Sequence, residues 1–320
     1  MRDLHTLQKQ IAKEERIARK HADKTTKALL NGPGHQAVPG LASPSLDDDL
    51  IRPLIKYPGG KHRIAPAISA AFGESCRGTY IEPFIGGGSV YLHRAAAGEV
   101  ERAHLSDRDG WIAGLHRIVR DDPDGVCAAM AGYRGMTWTH EGYDAERAQA
   151  NAGLMVEAGE AARFVALNKA GFNGLFRKNK RDQINAAWGH KAHPPGIPDD
   201  AHIRQVSALL SRAAVSCSDW QRSIVIASDG DQVYLDPPYV GTWTGYGIGG
   251  TWTIDHLAEL VRAAEHAVEY GARVVLSHMD DEPTRDLLGR WRVEAIGARA
   301  SISRSVATRG VRREILAVLG

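Results

Sequence analysis

Cysteine is scarce in this chain, which has three (Cys76, Cys127 and Cys217) among 320 residues. Their number is odd, and no two have the spacing of a zinc-binding or redox pair. This excludes a disulfide framework and a cysteine zinc site, and we expect reduced thiols in a cytoplasmic protein. The fourteen histidines show no HExxH or other paired-ligand spacing, so we expect no metal.

Long apolar runs are also missing, and none approaches the roughly 18 residues that a membrane helix needs. The first twenty residues have mixed charge and no apolar core, so we expect neither a secretory signal nor contact with a membrane. The formal net charge is only +2. A basic surface for a nucleic acid must therefore be local, because the composition as a whole does not supply one.

Residues 1–49 differ in composition from the rest of the chain. The pattern over 1–30 predicts a polar helix with an excess of basic residues, and 31–45 is rich in Gly, Pro and Ser, as in a flexible linker. An exposed appendage and a non-specific contact with phosphate both fit the helix. We expect the folded body to begin near residue 50.

Short apolar strands alternate with helices from residue 79 onwards. Strands are predicted over 79–84, 102–107, 233–236, 273–277 and 313–320, with helices over 90–98 and 254–270. This order predicts an α/β fold with a doubly wound, mostly parallel sheet of Rossmann-like type.

The section over 111–217 interrupts this alternation. It contains polar helical stretches and then a segment rich in Gly, Asn, Lys and Arg over 167–196. We interpret 111–217 as an inserted, mainly helical domain between the two parts, 50–110 and 218–320, of a catalytic domain. Within it, Asn173-Gly174 stands between aromatic and apolar residues, which predicts the tip of a β-hairpin.

A glycine turn follows the first predicted strand. Gly86, Gly87 and Gly88 allow a ligand to approach the backbone closely, and the next helix begins there. Asp107 ends the next strand, 21 residues after Gly86, where a carboxylate can accept hydrogen bonds from ribose hydroxyls. Neither G-x-G-x-x-G nor a P-loop is present. A cofactor that contains adenosine, a phosphate cofactor and a structural turn all remain open on this pattern.

A second motif, Asp236-Pro237-Pro238-Tyr239, begins with the last residue of the apolar strand predicted over 233–236. Two prolines cannot continue a central strand, so they form a rigid turn at its carboxyl end, where open α/β sheets bind ligands. The Asp236 carboxylate and the Pro237 carbonyl offer two acceptors for an exocyclic amine, and Tyr239 offers a ring face for a base. The structural alternative is a turn with a helix-capping aspartate.

Together these motifs resemble the Dam-type adenine-N6 DNA methyltransferases, over about residues 51–320. The similar segments, in the family's order, are Ile55–Lys61, Tyr80–Gly88, Leu167–Asn179, Asp236–Tyr239 and, in the tail, Ser301–Ser303 with Arg313 and Glu314.

The resemblance implies that a methyl group passes from S-adenosylmethionine to the N6 amine of an adenine flipped out of double-stranded DNA. It implies no metal and no obligate protein partner, and a nucleoid-associated location. The implied catalytic residues are Asp236, Pro237 and Tyr239. The implied cofactor-binding residues are Tyr57, Lys61, Glu82, Phe84, Gly86, Asp107 and Asp236. The implied DNA-binding residues are Lys56, Phe172, Asn173, Leu175, Arg177, Lys178 and Asn179.

Arg177 is suited to bidentate recognition of guanine, although a solvated basic loop is the alternative for this segment. The chain departs from the family's usual residues at Tyr57 (Trp), Asp109 (Asn), His278 (Asn) and Ala187 (Pro). The last departure bears on the recognition sequence, for which GATC is the leading candidate.

Three other functions fit parts of the sequence. A nicotinamide-dependent oxidoreductase leaves the Asp236–Tyr239 motif unexplained, and a DNA-binding protein without catalysis is opposed by that intact motif and by Lys61. The third is methylation of the exocyclic amine of cytosine, or of adenine in RNA, since similar motifs serve those substrates.

Overall fold

The computed structural model describes residues 50–179, 181–242, 250–299 and 311–320. The predicted helix and linker over 1–49 lie outside the described residues, as do the tail residues 301–303. Residues 50–320 form one compact unit. All three cysteines are free. None of the helices in the described ranges has the length and apolar composition of a membrane span.

The helices and strands begin and end as follows. In chain order they are α1 (Ala65–Phe72), β1 (Tyr80–Glu82), α2 (Ser89–Ala96), β2 (Ala103–Asp107), α3 (Gly110–Asp121), α4 (Pro123–Arg134), α5 (His140–Ala152), α6 (Ala158–Ala170), a 3₁₀ turn (Phe172–Gly174), α7 (Asp200–Leu210), β3 (Ala213–Cys217), α8 (Trp220–Ile224), β4 (Gln232–Leu235), α9 (Ile254–Glu269), β5 (Arg273–Met279), α10 (Glu282–Leu287), β6 (Arg292–Arg299) and β7 (Val311–Leu319).

The seven strands that the structure describes form one sheet in the order β3-β2-β1-β4-β5-β7-β6. The pairs from β3 through to β5 are parallel. Strand β7 runs antiparallel to both of its neighbours, β5 and β6. The prediction of an α/β protein with a mostly parallel sheet is therefore confirmed.

The central strands β1 and β4 are buried along their whole length because both faces of the sheet are covered. Every residue of β1 and β4 is buried. Tyr80 and Tyr234 point into the core on one face, whereas Ile81, Val233 and Leu235 belong to the core that packs against α9 on the other. Burial of strands on both faces is typical of parallel sheets between helical layers.

Strand order reverses between β1 and β4, which are direct neighbours in the sheet. From β1 the chain continues to β2 on one side, and from β4 it continues to β5 on the other. A crevice forms at the carboxyl ends of the strands at such a switch point. The glycine turn follows β1 and Asp236 follows β4, so the fold brings the two sequence motifs to the same crevice.

Helices α3 to α7 occupy most of the section between β2 and β3, as the polar helical pattern predicts. The predicted section 111–217 ends with β3, however, which is an edge strand of the sheet and pairs with β2 from Ala213 to Cys217. The sheet therefore resumes before residue 218, the predicted boundary. A separate recognition domain over 111–217 remains a prediction.

The predicted hairpin tip at Asn173-Gly174 is wrong. Both residues have positive φ angles, 56° and 65°, and the Leu175 N–H donates to the Phe172 carbonyl in a tight turn. Helix α6 ends only at Ala170, so the chain before this turn is helical and cannot act as a strand. Antiparallel bridges instead join 171 to 188 and 178 to 184, and the chain reverses between 179 and 183.

Candidate active site

Asp236 lies at the end of β4 with its two carboxylate oxygens in different surroundings. Oδ1 accepts a hydrogen bond from the Ser277 hydroxyl at 2.9 Å and lies 2.9 Å from the Lys61 ammonium. Oδ2 accepts no hydrogen bond from any described residue. One oxygen therefore anchors the side chain, and the other is left for a ligand.

The buried hydroxyl of Tyr234 orients the hydroxyl of Ser277. The Tyr234 hydroxyl lies 2.8 Å from Ser277 Oγ, and both side chains are buried. The parallel register aligns Leu235 of β4 with Leu276 of β5, so the residues that follow, Asp236 and Ser277, are neighbours. A chain of hydrogen bonds from the core thus holds the Asp236 carboxylate in a fixed orientation.

Lys61 joins the beginning of the folded body to the catalytic motif. Its side chain is only 5% exposed, and its ammonium donates to the Gly59 carbonyl at 2.8 Å and to the Tyr239 hydroxyl at 3.3 Å. Sequence reasoning assigned Lys61 to the cofactor, whereas the structure places its charge against Asp236 and Tyr239. Its buried ammonium neutralises a carboxylate that would otherwise be costly in this position.

The Tyr239 hydroxyl is also held by the last strand of the sheet. It donates to Glu314 Oε1 at 2.7 Å, and Glu314 Oε2 lies 3.9 Å from the Lys61 ammonium. Sequence reasoning noted Glu314 within the tail but assigned it no role. Because β7 is inserted beside β5, only the sheet order brings this residue to the motif.

Pro237 has a buried position directly after Asp236. Its carbonyl oxygen accepts no backbone hydrogen bond from the residues that the structure describes. It is therefore available as a second acceptor beside Asp236 Oδ2, as the motif predicts. Two acceptors at one strand end can bind both hydrogens of a single amine.

The glycine turn lies beneath the Tyr57 ring. Gly86 has a φ of +47°, and a Cβ there would lie 2.8 Å from Tyr57 Cδ1, so only glycine fits under the ring. The Gly86 N–H donates to Asp107 Oδ2 at 3.0 Å, and Asp107 Oδ1 accepts from the Asp109 N–H at 2.9 Å. The glycine turn, the Tyr57 ring and the Asp107 carboxylate therefore form one surface.

Two carboxyl groups of the crevice have strongly raised pKa values. Burial raises the pKa of Asp107 to about 7, and the Asp109 carboxylate adds to this rise. Burial raises the pKa of Glu82 to about 8, and the charge of Asp236 acts in the same direction. The Tyr80 hydroxyl donates to Glu82 at 2.8 Å. A cationic ligand would lower both pKa values, since it stabilises the ionised carboxylates.

Phe84, the remaining predicted cofactor residue, is half-buried after β1. Its ring packs edge-on against Trp252, with ring centroids 6.1 Å apart. The structure thus places the predicted catalytic and cofactor residues around the ends of β1, β2 and β4.

Lys56 is attached by Asn168 to the segment over 167–179, which we call the recognition segment. The sequence assigns Asn168 no role of its own. The Asn168 amide oxygen accepts from the Lys56 N–H at 2.8 Å, and its Nδ2 donates to the carbonyls of Lys56 and Gly174 at 2.9 and 3.1 Å. Asn168 is buried in helix α6, so its amide makes these bonds away from solvent. It places Lys56 beside the turn at Asn173-Gly174.

The predicted DNA-binding residues divide into two groups. Phe172, Asn173 and Arg177 are exposed and Leu175 is half-buried. The Arg177 Nε and Nη2 donate to the side chain and carbonyl of Asn185 at 2.9 and 3.1 Å, which holds the guanidinium at the surface.

Lys178 and Asn179 are placed differently. The Lys178 side chain is 4% exposed, and its ammonium lies 2.8 Å from the buried Asp109 carboxylate. The Asn179 Oδ1 accepts from the N–H groups of Arg181 and Gln183 at 2.8 and 3.1 Å. This geometry disagrees with the prediction of a DNA contact by Lys178, because a buried, paired ammonium is not available to a phosphate. Asn179 stabilises its own turn.

Fold and site together define a class of protein. The mostly parallel sheet, the glycine turn after β1 and the acid-proline motif after β4 are consistent with a methyltransferase fold that acts on an amine.

Comparison with known proteins identifies the family. Residues 57–302 match the D12 class N6 adenine-specific DNA methyltransferases. The chain is 30% identical over 275 residues to DNA adenine methylase of Escherichia coli strain K12, which covers 83% of this chain and 95% of the relative. It is 29% identical over 282 residues to DNA adenine methylase of Haemophilus influenzae, with 84% and 94% covered. It is 25% identical over 275 residues to Type II methyltransferase M1.LlaDCHI of Lactococcus lactis, with 83% and 94% covered.

The chain therefore belongs to the D12 class N6 adenine-specific DNA methyltransferases, and its reaction is site-specific methylation of adenine N6 in DNA. This excludes the oxidoreductase and places the acceptor amine on adenine in DNA. Such a reaction requires a methyl donor.

Proposed function

We propose that S-adenosylmethionine is the methyl donor and that Tyr57, Gly86 and Asp107 bind its adenosine part. The Tyr57 ring offers a stacking surface, and the glycine turn brings the backbone close. The Asp107 carboxylate is the acceptor for the ribose hydroxyls. Glu82 and Phe84 complete the cofactor side of the crevice.

The charge of the crevice supports this donor. Glu82, Asp107 and Asp236 are carboxyl groups at the ends of three adjacent strands. The raised pKa values of Glu82 and Asp107 leave these two groups partly protonated near neutral pH. A bound cation would favour their ionised forms, whereas the phosphates of a nucleotide cofactor would not. S-adenosylmethionine supplies a methyl group activated on a positively charged sulfur.

Asp236 and Pro237 bind the two N–H groups of the target amine in this proposal. The observation that carries it is the division of the Asp236 carboxylate, with Oδ1 held by Lys61 and Ser277 and Oδ2 without a bond from the described residues. Acceptors on both N–H groups stabilise the positive charge that develops on the nitrogen during methyl transfer. The Tyr239 ring supports the flipped base by stacking.

The cofactor assignment predicts a pH dependence of donor binding. Because the pKa of Asp107 is raised to about 7, its carboxyl is protonated below that pH and is a poorer acceptor for two hydroxyls. Affinity for S-adenosylmethionine should increase by up to about tenfold between about pH 6 and about pH 7.5. Isothermal titration of the wild type at the two values measures this.

Asp107→Asn is the matched control, because amide and carboxyl have the same shape. The variant should bind the donor more weakly than the wild type at about pH 7.5. It should also lose most of the change of affinity across the same range, with the remainder due to Glu82. Wild-type affinity that is independent of pH, or a variant that binds the donor as the wild type does, contradicts the ribose assignment.

The DNA side of the proposal rests on Lys56 and on the exposed and half-buried residues of the recognition segment. Lys56, Phe172, Asn173, Leu175 and Arg177 contact duplex DNA, with an adenine in GATC as the proposed target. Lys178 and Asn179 hold the segment in shape. The link through Asn168 supports a common surface for Lys56 and the turn.

Arg177 is proposed to bind one guanine of the site. Arg177→Ala should then cost roughly 1–3 kcal/mol at the cognate site and relax the preference at one base pair. Arg181→Ala is the matched control, because Arg181 is an exposed arginine of the same loop. Removal of a phosphate contact instead weakens all sequences together. Methylation of a library of near-cognate duplexes measures the difference, and an unaltered ranking of sites by the Arg177 variant contradicts base recognition.

A further inference from the structure

His278 lies directly beside the catalytic motif, although none of the roles above involves it. It follows Ser277 on β5, and its side chain is fully buried. Its ring packs against that of Tyr239, with centroids 5.3 Å apart and planes at 69°. This edge-to-face arrangement is a favourable geometry for two aromatic rings.

A hydrogen bond from a different element fixes the orientation of the His278 ring. Its Nδ1 lies 3.1 Å from the hydroxyl of Thr284, which is itself buried in α10. Its Nε2 makes no hydrogen bond with the described residues. The ring is thus held by the strand that carries it and by α10, so it presents a rigid surface to Tyr239.

The Tyr239 side chain is contacted both at its hydroxyl and at its ring. Glu314 and Lys61 hold the hydroxyl oxygen at 2.7 and 3.3 Å. The Lys61 ammonium also lies 5.4 Å from the centroid of the Tyr239 ring. The contact with His278 is made by the ring itself, so it restricts rotation of the ring plane.

We propose that His278 is a positioning residue that sets the plane of the Tyr239 ring for stacking of the target adenine. This rests on the stacking role proposed for Tyr239. His278 acts through Tyr239 and does not touch the substrate.

The charges around His278 agree with a neutral ring. Burial is the main cause that lowers its pKa, and the Lys61 ammonium acts in the same direction, whereas Asp281 and Asp236 oppose it. The Glu314 carboxylate on β7 accepts a hydrogen bond from Tyr239, whose ring packs against His278. A neutral imidazole packs beside Lys61 without the repulsion that a second cation would introduce.

A double-mutant cycle with His278→Asn and Tyr239→Ala tests the inference, with single-turnover methyl transfer to duplex DNA as the measurement. His278→Asn should lower the rate on the order of ten- to a hundredfold, because small displacements of a positioned group are costly. The KM for S-adenosylmethionine should stay within about twofold, since no cofactor contact changes. In the Tyr239→Ala background, His278→Asn should have no further effect.

Two further variants separate positioning from packing. His278→Phe keeps a ring against Tyr239 and should retain most of the rate, even though Thr284 loses its partner. His104→Asn replaces a partly buried histidine on β2, whose Nε2 lies 3.4 Å from Ser223 Oγ, and controls for loss of fold stability by thermal unfolding. All rates are measured below the unfolding temperatures of the variants.

An equal loss in both Tyr239 backgrounds overturns the inference, because it shows a merely structural effect. A wild-type rate in His278→Asn, or a rate in His278→Phe as low as in His278→Asn, overturns it as well. Failure of the proposed function is distinguished in the same assay, since the wild type itself would then transfer no methyl group from S-adenosylmethionine.

Discussion

Replacement of Asp236 by Asn should lower the rate of methyl transfer on the order of a hundredfold to a thousandfold. Asparagine keeps the shape of the side chain but lacks the negative charge that stabilises the amine in the transition state. It also weakens the ion pair with Lys61 at 2.9 Å. Single-turnover transfer to duplex DNA is the measurement, because it isolates chemistry from product release.

Asp286→Asn provides the control for the Asp236 variant. Asp286 is exposed on α10, so its loss removes the same charge without affecting the crevice. We expect a rate within about twofold of the wild type, as for a surface substitution. If Asp236→Asn kept more than about a tenth of wild-type turnover, the acceptor role of Asp236 would be wrong.

Lys61→Met should reduce both stability and activity. The substitution leaves the Asp236 and Glu314 carboxylates, which are 19% and 12% exposed, without their shared cation. Breaking a buried ion pair from one side typically costs about 3–5 kcal/mol in the free energy of unfolding. Methyl transfer should fall on the order of a hundredfold, because the Asp236 carboxylate and the Tyr239 hydroxyl lose a common donor.

The double variant Lys61→Met, Glu314→Gln separates charge from packing. It removes the second carboxylate and should recover part of the lost free energy of unfolding, as measured by denaturant titration. It should not restore methyl transfer, since Asp236 still lacks Lys61. A loss of less than about 1 kcal/mol in Lys61→Met, typical of a surface pair, contradicts the buried network.

The central strands could be predicted from the sequence because their apolar runs are local. The sequence pattern does not predict strands β3 and β6, and the reason is physical. The β3 segment AAVSC is short and mostly small or polar, and β6 carries Arg292 and Glu294 on exposed positions. Both are edge strands, which need less apolar surface than central strands. Their pairing depends on the rest of the sheet, which a local pattern does not contain.

The site could be predicted only as far as its residues stand in contiguous motifs. Asp236 and Pro237 are local features of one turn. The contributions of Ser277 and Glu314 arise from the β4–β5 register and from the insertion of β7 beside β5. The neighbours of Lys178 in the sequence predict a DNA contact for its side chain. In the structure that side chain points to Asp109, on a distant segment of the chain, with which it forms an ion pair.

The hairpin error has a similar origin. The Asn173-Gly174 pair does form a turn with positive φ angles, as its composition predicts. The element before the turn is a helix rather than a strand. A turn signal predicts the reversal of the chain but not the partners of the segments on either side.

The central claim is that this chain transfers a methyl group from S-adenosylmethionine to adenine N6 in duplex DNA. Mass spectrometry of nucleosides from unmethylated duplex DNA, incubated with the purified protein and S-adenosylmethionine carrying an isotope-labelled methyl group, tests it most directly. We expect labelled N6-methyldeoxyadenosine with the wild-type protein, and at most about a hundredth as much in the same time with the Asp236→Ala variant. Absence of that nucleoside with the wild-type protein, or the appearance of labelled N4-methyldeoxycytidine in its place, would contradict the account.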